Sequence, residues 1–305
     1  MTNIKTTIAG YIYAILAVLF WSFNVIVARY FADTFTPWQI SFYRWFFASI
    51  TLLPFCLKSI IKDWSIITKN FKILFWLSLT GIVLMNTFSY YAGRTITAVE
   101  MSLIGVMGPV FIVILSRIFL HEYITRFQLF GIIVSFIGVI TIILHGQFLT
   151  IGNFTLAIGD FWMSLLALSF AIYSVISKFR PKEISQLTSL AFTVFFATIV
   201  ILPLFIYDNI THSITHWDSL EIWTLIYMGV FNSVLSYLFW NLSLEKIGSL
   251  KSSMIYYLMP VFSSIEAYFL LGENIYPAQI YGGMLVILGI FMTNKKSDKV
   301  ALERP

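Results

Sequence analysis

The chain has 305 residues, 59% of them hydrophobic and 11% charged, with a net charge of +5 and a mean hydropathy of +0.88. A soluble domain carries about 25% charged residues, so this composition excludes an ordinary soluble enzyme, a disordered chain and a nucleic-acid binder. Thirty Phe, sixteen Tyr and nine Trp suit the aromatic belts of a bilayer interface, and the single Cys56 leaves no internal disulfide or Cys-rich metal site.

A helix needs roughly 20 apolar residues to cross about 30 Å of hydrocarbon. Ten such runs follow in chain order: 10–31, 37–57, 71–92, 97–120, 126–145, 158–178, 187–207, 221–242, 247–271 and 277–293. The expectation is an all-α integral membrane protein of ten transmembrane helices, forming one membrane domain over 1–305. Tight joints fall near Gly93 and Leu244. The first run follows Lys5 without a small-residue cleavage site, so it is expected to stay in the mature protein.

Lys and Arg stay on the cytoplasmic side of membrane spans. With the N-terminus inside, sixteen of the nineteen basic residues fall inside, and the connections 146–157 and 208–220 hold none. Only Arg29 and Arg94 lie near the outer side, while Arg44 lies within the second run. Both termini are therefore expected in the cytoplasm, at a bacterial inner membrane. The basic balance reports topology rather than a nucleic-acid partner.

The sequence also repeats itself. At an offset of 151, Pro109-Val110-Phe111 falls on Pro260-Val261-Phe262, Glu122 on Glu273, Gln128 on Gln279, Gly131 on Gly282 and Gly138 on Gly289. At an offset of 149, Gly10 falls on Gly159, and Phe46-Phe47-Ala48 with Pro54 falls on Phe195-Phe196-Ala197 with Pro203. Residues 10–145 and 158–293 thus read as two five-span repeats. An odd number of spans gives them opposite topology, an arrangement that suits alternating access around a midplane site.

Phe20-Trp21-Ser22-Phe23, Arg44-Trp45-Phe46-Phe47-Ala48 and Pro109 through Phe119-Leu120-His121-Glu122 carry a family likeness. Pro260 and Leu270-Leu271-Gly272-Glu273 repeat it in the second half. Over 10–293 the chain resembles the EamA branch of the drug/metabolite transporter superfamily. The resemblance implies a ten-helix secondary carrier with a central cavity, commonly exporting amino acids or other small metabolites, and leaves the substrate open. His121 stands where that family often has Gly.

Ionisable residues inside spans are costly and usually face a cavity or a partner. Glu266 in the ninth run is the candidate proton or cation site, with an ion pair to Arg44 as the structural alternative. Leu115 occupies its matching position in the first half. Arg44 offers a bidentate fork for a substrate carboxylate, or serves as a generic gate. Glu100, near the outer end of the fourth run, reads as solvated or snorkelling, with substrate contact as its other reading.

Glu122 and Glu273 are expected to satisfy backbone groups or basic neighbours. Thr125-x-x-Gln128 has capping-box form, and Pro277 suits a first helical turn. Pro109 and Pro260 are expected to kink their helices. Trp21, Asn24, Tyr43, Asn86, Tyr90, Tyr237, Trp240, Tyr256 and Tyr257 are candidate cavity-lining residues, able to stack on a flat or cationic substrate. Asp208, His212, His216 and Asp218 read as a solvated outer loop.

No residue set shows metal-ligand spacing, catalytic grouping or a P-loop, so neither a metal nor a cofactor is called for. The expected partners are a small-molecule substrate, the lipid bilayer and protons as coupling ion. Two alternatives stay open. One is a proton-coupled exporter of polyamines or quaternary ammonium compounds; the other is a membrane-embedded enzyme or structural subunit.

Overall fold

The computed structural model describes residues 4–120, 125–144, 157–212, 214 and 218–294. Among them every regular element is helical. The first half holds α1 (Ile4–Tyr30), α2 (Pro37–Lys62), α3 (Trp64–Lys69), α4 (Phe71–Ser78), α5 (Met85–Ala92), α6 (Ala98–Gly105), α7 (Gly108–Leu120) and α8 (Arg126–Ile143). The second holds α9 (Ile158–Ser177), α10 (Gln186–Thr211), α11 (Ser219–Tyr227), α12 (Ser236–Tyr256), α13 (Met259–Leu271) and α14 (Pro277–Asn294). π-helical segments Leu79–Leu84 and Met228–Leu235 join α4 to α5 and α11 to α12.

Eight helical stretches are long and apolar enough to cross a membrane, and Met259–Leu271 and Pro277–Met292 are shorter apolar helices. Phe55, Ile210 and Phe269 are 75%, 77% and 76% exposed. A belt of such residues is costly in water and suits lipid tails, so the apolar face of this bundle belongs in a membrane.

Threonine-led capping boxes open three of these helices. Thr125 with Gln128 caps α8 as its spacing predicts, and the same device starts α2 at Thr36–Gln39 and α6 at Thr97–Glu100. Each box satisfies two backbone donors that a helix start would otherwise leave bare.

The prolines behave differently from expectation. Pro109 and Pro260 were expected to kink continuous helices. Instead the chain breaks just before them, at Val106–Met107 and Tyr257–Leu258, and each proline stands second in a new segment. In a first helical turn the missing N–H costs no hydrogen bond, so a proline is tolerated there and not in mid-helix.

The joint near Leu244 contains no break in helical backbone, yet the chain reverses there. Ser243 and Ser252 hydroxyls hydrogen-bond at 2.7 Å, whereas nine residues of straight helix span about 13.5 Å. Trp240 and Tyr256 rings likewise meet at 6.1 Å. The doubling back lies inside α12, so the ninth apolar run is divided between the end of α12 and α13. That division leaves Met259–Leu271 short for the ninth span, and Pro277–Met292 is short in its own right, so length and hydropathy pick out eight spans among the described residues and not the expected ten.

The main packing pairs are α8 with α14, α1 with α12 and α13, α2 with α10, and α5 with α9. Small residues let α8 and α14 approach closely. A Cβ on Gly138 would lie 2.7 Å from Gly282 O, and one on Gly289 would collide with Gly131 O. Between these contacts Ser135 Oγ donates to Val286 O at 3.4 Å. In the α2–α10 contact the Ser49 and Thr198 hydroxyls bond at 3.0 Å.

Candidate functional site

Helix α1 carries two polar positions two residues apart, Ser22 and Asn24, that point about 200° apart at 3.6 residues per turn. Each meets a buried charge, so α1 separates two polar flanks.

On the Asn24 flank lies Arg44 from α2, 3% exposed. Its Nη1 donates to Asn24 Oδ1 at 2.6 Å, Asn86 Oδ1 at 2.8 Å and the Tyr90 hydroxyl at 3.0 Å. Its Nε donates to Ser233 Oγ at 2.8 Å, and the guanidinium sits 4.8 Å over the Trp45 ring. Tyr90 in turn donates to Asn24 at 3.2 Å, and Asn24 to Ser89 at 3.3 Å. Ser233 belongs to the second π-segment, where its hydroxyl donates to Met228 O five residues back. The local widening of a π-helix, frequent at functional sites, thus presents Ser233 to Arg44. All four acceptors are neutral, and Nη2 donates to none of them.

On the Ser22 flank lies Glu266 from α13. Ser22 Oγ donates to Glu266 Oε1 at 2.9 Å, while Oε2 is buried with no hydrogen-bond partner. The Tyr227 phenol lies within electrostatic range of this carboxylate, beside Phe23 at 5.1 Å. The Arg44–Glu266 ion pair, the structural alternative for Glu266, is not formed: Arg44 is held by neutral groups and Glu266 by a serine. Ser22 and Asn24 keep the two charges on separate flanks.

Four of the proposed cavity residues come together around Trp21. Its indole meets Tyr237 at 5.4 Å, Trp240 at 5.4 Å and Tyr256 at 6.2 Å. Tyr43 does not join them, since it lies against Phe42 and Phe205 at 5.7 and 5.2 Å. Tyr257 caps the end of α12 and packs on the core formed mainly by the first half.

Glu100 is not solvated. It is 6% exposed, and its Oε2 accepts from Thr97 N at 3.1 Å within the α6 capping box. Gln279 also reaches it at 3.5 Å. Glu273 behaves as expected, accepting from Ala98 N at 3.0 Å and Val99 N at 3.4 Å, with Arg29 Nε at 3.8 Å. Burial pushes its carboxyl above the usual carboxylate range, while the two backbone N–H groups and Arg29 pull the other way and Glu100 adds to the rise. Arg29 and Ser22 stand two turns apart on one face of α1, so that face is met by Glu266 of α13 and by Glu273 just beyond its end.

The outer-loop expectation changes for Asp208, while His212 and Asp218 are exposed as expected. The Asp208 carboxylate accepts from Thr36 Oγ1, and Gln39 Nε2 donates to His212 O at 2.8 Å. Thr36 and Gln39 serve both as cap and as tether, which holds Asp208 against α2 instead of leaving it in solvent. Glu122, His121, His145 and His216 lie outside the described residues. Among those described, no three His, Cys, Asp or Glu side chains gather as a metal site would need.

Sequence reasoning missed Ser22, Ser233, Tyr173 and Tyr227. The only advance signal was the position of Ser22 four residues below Ile26 and seven below Arg29, on one helical face.

The EamA-like transporter family model matches residues 8–144 and again 157–295. The chain belongs to the EamA-like transporter family. This transporter is 28% identical to the uncharacterized transporter YyaM of Bacillus subtilis, over 88% of this chain and 87% of that one. It is 29% identical to the S-adenosylmethionine uptake transporter of Rickettsia prowazekii, over 96% of each chain. An uncharacterized transporter of Archaeoglobus fulgidus is 24% identical over 93% of this chain and 96% of its own. One solved crystal structure shares the fold, with TM-score 0.58 and 15% identity over 96% of this chain and 97% of that chain.

Proposed function

We propose that this EamA-like transporter is a secondary-active carrier of small metabolites. Ten spans, arranged as two inverted five-span repeats with both termini cytoplasmic in a bacterial inner membrane, work by alternating access. Pairing across the halves supports the repeat. Ser49 bonds Thr198, its equivalent at offset 149, and Ser135 bonds Val286, its equivalent at offset 151. Gly138 meets Gly282, and Gly131, the equivalent of Gly282, meets Gly289, the equivalent of Gly138. Self-paired equivalents flanked by reciprocal contacts are the signature of a two-fold axis. The family match to each half agrees with it.

The observation that carries the mechanism is Glu266, whose one oxygen is held by Ser22 and whose other is buried without a partner. A buried carboxyl with a bare oxygen is stabilised by taking up a proton or a cation. Exchange of that proton for substrate would couple transport to the proton gradient, with Arg44 orienting the substrate or closing the path. Amino acids and related zwitterions are the first substrate class, moved outward.

A second reading takes organic cations as substrate. The aromatic set around Trp21 and the half-satisfied acid Glu266 favour it. The relative named for S-adenosylmethionine uptake favours it too, because that molecule is an amino acid bearing a sulfonium charge; it also raises inward transport.

The test is counterflow in proteoliposomes at pH 6 and pH 8, with amino acids, polyamines and quaternary amines as probes. Glu266→Gln is expected to fold and to lose pH-dependent transport by about tenfold or more, as removal of a positioned proton-transfer group does. Full pH-dependent transport in Glu266→Gln would remove Glu266 from the mechanism.

A further inference from the structure

Three phenols deep in the bundle, Tyr173 of α9 and Tyr237 and Tyr256 of α12, have hydroxyls with no hydrogen-bond partner among the described residues. None of the three oxygens is sealed off as Glu266 Oε2 is, and each ring keeps part of its surface accessible. An interior phenol normally finds a partner. Three together without one mark a reachable interior compartment whose donors are free for something that enters it.

The compartment has a sign. The Arg44 guanidinium acts electrostatically on Tyr237, and Tyr237 on both Tyr173 and Tyr256, so the phenols form a connected row beginning at Arg44. Trp21 touches Tyr237 and Tyr256 and lies on the Asn24 side of α1, where Arg44 is bonded. No carboxylate acts on these three phenols; Glu266 acts instead on Tyr227, across α1. The buried guanidinium is bonded to neutral acceptors and to no carboxylate, and its Nη2 is uncommitted among the described residues. Donors and positive charge without an acid make a place for an anion.

The first π-segment contributes to the shape. A Cβ on Gly81 would lie 2.7 Å from Cε2 of the Tyr173 ring, so only glycine lets that ring stand where it does.

We propose that this compartment binds the carboxylate group of the transported substrate, held by Arg44 Nη2 and the Tyr237 hydroxyl, with Tyr173 and Tyr256 completing the donor set. It rests on the carrier reading above and gives its first substrate class a place for the carboxylate. A carboxylate has two oxygens able to accept several donors, and hydrogen bonds to a charged acceptor are about twice as strong as neutral ones. Tyr237 is then a specificity-determining residue, because an analogue lacking the carboxylate leaves its buried donors unmatched.

The test is ligand-induced thermal stabilisation of the full chain in detergent. The probes are L-amino acids, each compared with its own carboxamide and its own decarboxylated amine. Wild type is expected to bind the carboxylate member about tenfold or more tightly than its two analogues, the usual effect of losing one charge-assisted hydrogen bond. Tyr237→Phe is expected to shrink that preference to a few-fold while leaving amine binding unchanged, and Gly81→Ala to weaken the carboxylate member by displacing Tyr173. The proposal is overturned if amines or carboxamides bind wild type as well as the acids, or if Tyr237→Phe weakens all three equally. Amine-only binding with intact Glu266-dependent counterflow would sink the carboxylate site and leave the carrier standing. Absence of both binding and counterflow would remove the carrier reading and this proposal with it.

Discussion

The two flanks of α1 hold buried charges on opposite terms. Arg44 has four protein acceptors and a tryptophan face, so its position is fixed by many groups at once. Glu266 has one serine and a bare oxygen. A charge gripped by four groups organises helices, whereas one left half-satisfied is free to exchange partners. The comparison teaches that depth in a span does not by itself mark a coupling residue; what matters is how many of its polar atoms the fold has already committed.

The strongest way to break this contrast is Arg44→Met. It leaves Asn24, Asn86, Tyr90 and Ser233 without their shared donor; each keeps another hydrogen bond, so the total falls well short of four full penalties of about 1–3 kcal/mol each. The variant is expected to lose roughly 2–5 kcal/mol, read as a large drop in melting temperature in detergent. A melting temperature within a degree or two of wild type would show that the four-way grip is not structural.

Glu273→Gln sharpens the comparison at the far end of the same α1 face. Burial raises the Glu273 carboxyl above its ordinary range, so the folded protein holds that proton to higher pH than the unfolded chain. The associated stability is fully present below the ordinary carboxylate range and is lost as pH rises through the raised value. Thermal unfolding from pH 4 to pH 8 should therefore fall less steeply with pH in Glu273→Gln than in wild type. Parallel curves would mean that Glu273 does not titrate in this range.

Ser22→Ala is the mildest change. Losing one hydrogen bond to a carboxyl costs about 1 kcal/mol, and the expected signature is a displaced midpoint in the pH profile of counterflow with maximal rate within a few-fold of wild type. An unmoved midpoint would separate Ser22 from the coupling step.

Much of the architecture was legible from local pattern. The apolar runs, the Thr125 cap and Pro277 at a helix start follow from rules acting within a few residues. Where the reading failed, the cause was partly local and partly distant. Glu100 was read as a snorkelling acid although Thr97-x-x-Glu100 is a local capping-box pattern; only its contact with Gln279, 179 residues on, has no local signal. The kinks assigned to Pro109 and Pro260 became clean breaks because the chain had the option of restarting each helix at the proline.

The amino-acid sequence alone determined that this is a helical membrane protein with a duplicated pattern and a few costly charges inside it, because hydrophobic run length, charge placement and repeat offsets are one-dimensional properties. Only the tertiary structure decided which partners those charges have. Ser22 and Asn24 stand two residues apart, and the 200° between them sends Glu266 and Arg44 to opposite sides of one helix. Which residues of α2, α5, α12 and α13 then meet each side depends on helix packing between segments up to 244 residues apart, and no local signal encodes that.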